Sequence, residues 1–329
     1  MDFTELIDLA AERLGGAVLA ANDEFFAPKE NLLKASKPIF LEDKYTDVGK
    51  WMDGWETRRR RTPGFDWCIV RLGLPGIIRG MVVDTSHFKG NYPEHCSLEG
   101  CAPDGNPEVA WLTSSAAQWI EILPLTRLRG DFENRFNIQT PSRLTHLRFN
   151  IFPDGGVARL RVFGEVVPDW AKLGTEVDLA AVESGGLVLA SSDMFFGSRH
   201  NLIMPGRAAS MSDGWETRRR RGPGHDWAVI KLGAPGTIRR VEVDTSHFKG
   251  NFPESCSLEA CAALGAELDE AALRSSPWTE VLPCTKLEAD RRHFFEKELK
   301  GAGRTTHVRF NIFPDGGVAR LRIFGTVSR

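Results

Sequence analysis

The sequence predicts an all-β protein built as two tandem β-sandwiches that form a pseudo-twofold internal repeat. Asp53 to Cys101 and Asp213 to Cys261 are identical at 35 of 49 positions, at a constant offset of 160. Short runs alternate apolar and polar side chains between Pro, Gly and Asn turns, the pattern of a sandwich rather than of a doubly wound sheet. No long helical period intervenes. A chain of 329 residues is long enough for two ordinary domains, each burying a core without disulfides, so units are expected at 1–165 and 166–329.

Taken in order, the first unit opens with Phe3 to Leu14, where Leu6, Leu9, Ala10 and Arg13 follow helical spacing until Gly15 and Gly16 stop it. Its partner is Val177 to Ser184. Here the offset is 170, so ten extra residues stand between Phe26 and Asp53 of the first copy, and we read Lys37 to Trp51 as an added loop. In DWCIVRLG, Cys68, Val70 and Leu72 take one face of a strand, as do Ala228, Ile230 and Leu232 in the second copy. The next strand, RGMVVDTS, turns Met81 and Val83 inward and releases Asp84 and Ser86 at its end, where a sandwich presents its loops. The block His146 to Gly164 recurs at His307 to Gly325 with 17 of 19 positions identical. It reads as a hairpin: Leu147, Phe149 and Ile151 alternate with His146, Arg148 and Asn150, the PDGG turn reverses the chain, and Leu160 and Val162 continue the apolar face. Arg159 and Arg161 fall on the polar face with Arg148. Glu165 to Leu173 has no partner and is the expected linker.

Hydrophobic content of 42% and charged content of 26% are those of an ordinary globular protein. No apolar run approaches the roughly 20 residues of a spanning helix, so no membrane is expected. The N-terminus is acidic and amphipathic where a secretory signal is basic and then apolar, which predicts a cytoplasmic location. The six cysteines lack CxxC spacing and read as small buried hydrophobes. A net charge of −2 argues against a general polyanion binder, and arginines without interleaved aromatics make a poor nucleic-acid footprint.

Two polar stretches persist where the apolar positions drift: DGWETRRRR from Asp53 and Asp213, and DTSHFKGN from Asp84 and Asp244. In an extended WETRRRR both faces carry guanidinium, which suits a bidentate clamp on a small carboxylate, or else a ladder of arginines paired with Glu56 and Asp66. The second stretch places an acid, a hydroxyl, an imidazole, an ammonium and an amide within eight residues. A Ser-His-Asp triad fails on reach, since sequence neighbours seldom meet in the required geometry and no G-x-S-x-G elbow is present. Acid-base work by Asp84 and His87, with Lys89 and Asn91 binding polar substrate atoms, is one reading, and a turn held by Asp and Asn side chains is the other. No H-x-H, H-E-x-x-H or CxxC spacing marks a metal site.

DGWETRRRR, the DW strand, DTSHFKGNYPE and RFNIFPDGGVARLRVFG, all present twice, resemble the allantoicase family over essentially the whole chain. The resemblance implies two jelly-roll sandwiches similar to galactose-binding modules. It also implies hydrolysis of allantoate to ureidoglycolate and urea, within purine and allantoin breakdown. The candidate catalytic residues are Glu56, Asp84 and His87 in the first copy and Glu216, His225, Asp244 and His247 in the second. The candidate substrate-binding residues are Arg58, Arg59, Lys89 and Asn91, with Arg218, Arg219, Lys249 and Asn251. No cofactor is expected to be required, a divalent metal such as manganese being the one addition left open, and a homo-oligomer is expected. His225 stands where the first copy has Phe65, which predicts the more complete site in the second copy. The rival reading is a non-catalytic tandem carbohydrate- or small-anion-binding sandwich.

Overall fold

The structure is a computed structural model that describes residues 2–263 and 275–328. The chain forms two compact units, Met1–Val167 and Pro168–Arg329. Each unit is a jelly-roll sandwich built on one eight-stranded sheet and one two-stranded sheet, and the first unit adds the short α-helix Val109–Leu112.

In the first unit the organising element is Asp66–Asp84, a strand of 19 residues. The sequence separates this stretch into two strands, and the structure joins them. The antiparallel partner Arg143–Phe152 follows it from Asp66 to Arg71 and then jumps to Gly76, with only Thr145 intervening, so residues 72–75 bulge and the strand bends without losing its ladder. Beyond the bend its partners are Arg159–Val166 and Glu133–Asn137. Asp66 lies opposite Ile151 and Asp84 opposite Arg159, so both ends of the long strand come back to the same turn, residues 153–158. The predicted hairpin is therefore corrected. The two arms of His146 to Gly164 do not pair with each other in this sheet, because each pairs with a different half of the long strand. The second unit repeats this around Asp226–Asp244.

The predicted alternation carries the core. Cys68, Val70, Leu72, Met81, Val83, Leu147, Phe149, Ile151, Leu160 and Val162 are all buried. Arg159, on the face opposite Leu160, is nonetheless buried. It is 2% exposed, with Nη2 donating to Asp53 Oδ2 at 2.6 Å and Nε donating to the Ser36 carbonyl at 2.9 Å.

Three other expectations are corrected. Phe3 to Leu14 is not a helix but two 3-10 turns, Phe3–Glu5 and Glu12–Leu14, flanking the strand Ile7–Asp8. That strand pairs with Phe163 and Gly164, and the Leu9 amide donates to the Val162 carbonyl at 2.7 Å, so sheet pairing outweighs the helical spacing. The start of the expected linker, Glu165 and Val166, belongs to the strand Arg159–Val166. All six cysteines are unpaired and five are buried, but Cys284 is exposed.

Candidate active site

The site loops of the first unit stand where the long strand meets the turn at 153–158. Trp55–Glu56 pairs with Gly156–Val157, and the fully buried Trp55 donates its indole Nε1–H to the Asp23 carbonyl at 2.8 Å. Phe88 is buried as a wedge beneath the second loop, worth about 1.5–3 kcal/mol of apolar burial. It packs so closely on Gly156 that a Cβ there would lie 1.9 Å from the Phe88 ring, so glycine is required for the two loops to meet. Thr85 completes the anchor, its Oγ1 donating to the Arg129 carbonyl at 2.6 Å.

With the loops so held, Asn91 Nδ2 donates to Glu56 Oε1 at 2.7 Å, while the Asn91 carbonyl accepts from the Gly156 amide at 2.7 Å. Burial pushes the Glu56 carboxyl above the usual carboxylate range, against the opposing pull of the Asn91 hydrogen bond. His87 adopts φ 71°, a left-handed conformation that an imidazole-bearing residue rarely takes, and its amide donates to Asp131 Oδ1 at 2.8 Å. Its ring stacks on Phe40, with centroids 5.7 Å apart, and Nε2 lies 3.4 Å from the Pro38 carbonyl. Glu56, His87, Lys89 and Asn91 line one cavity of about 420 Å³, walled also by Phe26, Phe40, Lys50 and Met52. Phe40 and Lys50 come from the ten-residue insertion.

The second unit repeats the pairing. Asn251 Nδ2 donates to Glu216 Oε1 at 2.5 Å, and His247 adopts φ 72° with its amide donating to Asp290 Oδ1 at 2.7 Å. Its Nε2 lies 2.9 Å from the Ala208 carbonyl, and Lys249 is 3.9 Å from Asp290. Asp84 and Asp244 are buried and accept from the amides of Ser86 and Ser246, each at 2.8 Å, which places them as loop anchors behind the cavity residues.

Two arginines in each copy are paired with carboxylates. Arg58 Nε donates to Asp23 Oδ2 at 2.6 Å and stacks on Phe25, and Arg218 Nε donates to Asp193 Oδ1 at 3.0 Å and stacks on Phe195. Arg60 Nη1 donates to Asp66 Oδ1 at 2.6 Å, as the ladder reading expects, whereas Glu56 takes Asn91 as its partner. Arg59 and Arg219 are exposed.

His225 is not brought to Glu216 and His247. It lies on the sheet face, Nε2 3.3 Å from Asn311 Oδ1, in a depression of about 400 Å³ with Trp227, Glu259 and Arg309. Phe65 occupies the same place in the first unit, packed on Phe152 at 4.7 Å as His225 packs on Phe313 at 4.7 Å. Asn150 Oδ1, equivalent to the atom His225 meets, is buried with no partner. This polar row was missed as a candidate, although its signal, identical Ser, Glu, Arg and Asn at alternate strand positions in both copies, was present in the sequence. Among the described residues no three of His, Cys, Asp or Glu are placed to hold a metal ion, and no helix is long and apolar enough to cross a membrane.

The family model for the allantoicase repeat matches residues 7–167 and 177–328. The chain is 48% identical over 326 residues to a probable allantoicase 1 of Burkholderia mallei, covering 98% of this chain and 95% of that protein. It is 50% identical over 323 residues to an allantoicase of Dictyostelium discoideum, covering 97% and 87%. The crystal structure of allantoicase from Saccharomyces cerevisiae superposes with a TM-score of 0.79 at 36% identity, covering 98% of this chain and 93% of that one.

Proposed function

Since the chain belongs to the allantoicase family and hydrolyses allantoate to ureidoglycolate and urea, we propose that the reaction runs in the loop-end cavity of the first unit with Glu56 as the acid. The observation that carries this reading is the Glu56 carboxyl, raised by burial and oriented by Asn91 on the wall of a cavity of about 420 Å³. Allantoate is a carboxylate whose α-carbon bears two ureido groups. In the proposed course protonated Glu56 donates to the nitrogen of one ureido group, and the bond from that nitrogen to the α-carbon breaks, releasing urea. The lone pair of the other ureido nitrogen forms an iminium with the same carbon. Water adds there, and its surplus proton returns to the Glu56 carboxylate, leaving ureidoglycolate. Such acid-base assistance contributes about 10²- to 10⁴-fold in rate. His87, held by Asp131 and stacked on Phe40, is proposed to orient the departing ureido group, with Asn91 and Lys89 as further polar contacts. Glu216, His247, Lys249 and Asn251 repeat these residue types in the second unit, with Asp84 and Asp244 holding the loops. In this reading Arg58 and Arg218 brace the Trp-Glu strands through Asp23 and Asp193.

The proposed reaction needs no resident cofactor. The test is urea release from allantoate by metal-stripped protein, with and without added manganese. Urea released only with manganese would overturn the cofactor assignment, and a Glu56→Gln variant with undiminished turnover would overturn the site. We also propose a cytoplasmic homo-oligomer. The buried free thiols suit a reducing compartment, and the exposed run Met194, Phe195 and Phe196 offers apolar surface to a second copy, which light scattering would check.

A further inference from the structure

We infer that Lys50, on the insertion found only in the first unit, receives the substrate carboxylate, and that the first unit is therefore the one equipped to hold allantoate. This rests on the cavity reading above and adds the group that selects an anionic substrate.

The insertion is a built wall. Tyr45–Thr46 pairs with Gly49–Lys50, and Thr46 Oγ1 donates to the Gly49 carbonyl at 3.2 Å. The Trp51 amide donates to the Lys44 carbonyl at 3.1 Å, and the Lys44 ammonium lies 3.9 Å over the Trp51 ring. At its base Asp53 accepts both the Ile39 amide at 3.1 Å and the buried Arg159 guanidinium at 2.6 Å. A hairpin tied at its tip and base holds its side chains at the cavity mouth.

On that wall the Lys50 ammonium lies 4.7 Å from the Tyr45 ring centroid and 5.1 Å from that of Phe40, and it donates to the Glu42 carbonyl. No carboxylate pairs with it among the described residues, and the same is true of Lys89 on the opposite loop. Two ammonium groups without carboxylate partners thus face one cavity, against the single carboxyl of Glu56, which is itself engaged by Asn91. That arrangement is short of a negative charge, and a ligand carboxylate supplies it.

The second unit lacks this balance. Ten residues fewer leave no counterpart of Lys50, Lys249 lies within ion-pair distance of Asp290, and the Arg207 guanidinium donates to Ser246 Oγ at 3.1 Å. His247 meets the Ala208 carbonyl, where His87 has Phe40 stacked beside it. The donors are duplicated, and the anion-holding wall is not.

The experiment uses the full chain with Lys50→Met, Lys50→Arg and Glu56→Gln. Loss of a charged hydrogen bond to the substrate predicts that Lys50→Met raises KM for allantoate about 10- to 100-fold with kcat changed far less. Lys50→Arg should recover most of that loss. A carboxylate-free bis-ureido compound, methylenediurea, should inhibit wild type and Lys50→Met alike. If Glu56→Gln abolishes turnover while Lys50→Met keeps the wild-type KM, the inference fails and the cavity reading stands. If Glu56→Gln keeps turnover, the cavity reading itself fails. A KM raised equally in Lys50→Met and Lys50→Arg, together with weakened methylenediurea binding, would mean a disturbed wall in place of a lost charge and would also overturn the inference.

Discussion

Replacing Glu56 by Gln separates chemistry from architecture at the site. The amide keeps an oxygen where Oε1 accepts from Asn91 at 2.7 Å, so the hydrogen bond worth about 0.5–1.5 kcal/mol survives. What is lost is the transferable proton, and kcat should fall about 10²- to 10⁴-fold. Stability should move the other way. Because burial raises the Glu56 pKa, the folded protein holds this proton more tightly than the unfolded chain does. The stability contributed by the neutral carboxyl is fully present below the unfolded value and is lost as pH rises through the raised folded value. At neutral pH the wild type therefore carries a cost that Gln lacks, and Glu56→Gln should unfold at a higher denaturant concentration. The same sign governs the rate: activity that depends on protonated Glu56 falls as pH rises through its folded pKa, and that limb should vanish from the residual activity of the variant. Urea release across pH, paired with denaturant titrations, measures both. A variant that is inactive and also destabilised would refute the reasoning, since it would make Glu56 a structural prop.

Three further outcomes follow from the geometry. Asp53→Ala strips the counter-ion from a guanidinium that is 2% exposed and should cost about 3–5 kcal/mol by chemical denaturation, more than Asp213→Ala, since Asp213 is itself 24% exposed where Asp53 is 7%; equal losses would contradict this. At φ 72° His247→Gly should be more stable than His247→Ala by about 1 kcal/mol, because only glycine relieves the left-handed strain, and an equal Tm for the two would count against strain at that position. Phe65→His should supply the missing donor to Asn150 Oδ1 and raise stability by about 0.5–1.5 kcal/mol without changing kcat, whereas a lowered Tm would show that the phenyl ring packs better than the imidazole bonds.

Much of the sandwich was legible because a buried strand face has a period of two, which an internal repeat states twice. Cys68, Val70 and Leu72 needed only that rule. Period alone does not say which strands pair, so the arms around Pro153 looked like a hairpin until the long strand was seen to take both. Leu6, Leu9 and Ala10 fit a helix as well as they fit a two-residue strand between tight turns, and pairing with Phe163 and Gly164 decided it. At the site, the polar loops announced themselves, but the Glu56–Asn91 contact joins residues 35 apart and no local spacing encodes it. His225 stands apart from Glu216 and His247, since the chain there has already left the loop end for the sheet face, and a one-residue difference between copies does not encode that. Lys50 lies in the insertion that the two copies do not share, so the repeat carries no signal for it.

The thiols have a practical consequence. Burial pushes Cys96 and Cys256 up to about 12 and Cys101 up to about 11, and it raises Cys68 and Cys261 as well, so in the folded chain these sulfurs are poor nucleophiles toward alkylating reagents. Cys284 alone is exposed, on Thr279–Lys286 of the second unit. A maleimide dye added to native protein should thus mark one residue, in the second of the two repeats. Alkylation of the other five would then clock the opening of each core, and peptide mapping could separate Cys68, Cys96 and Cys101 from Cys256 and Cys261. The two repeats can in this way be followed one at a time.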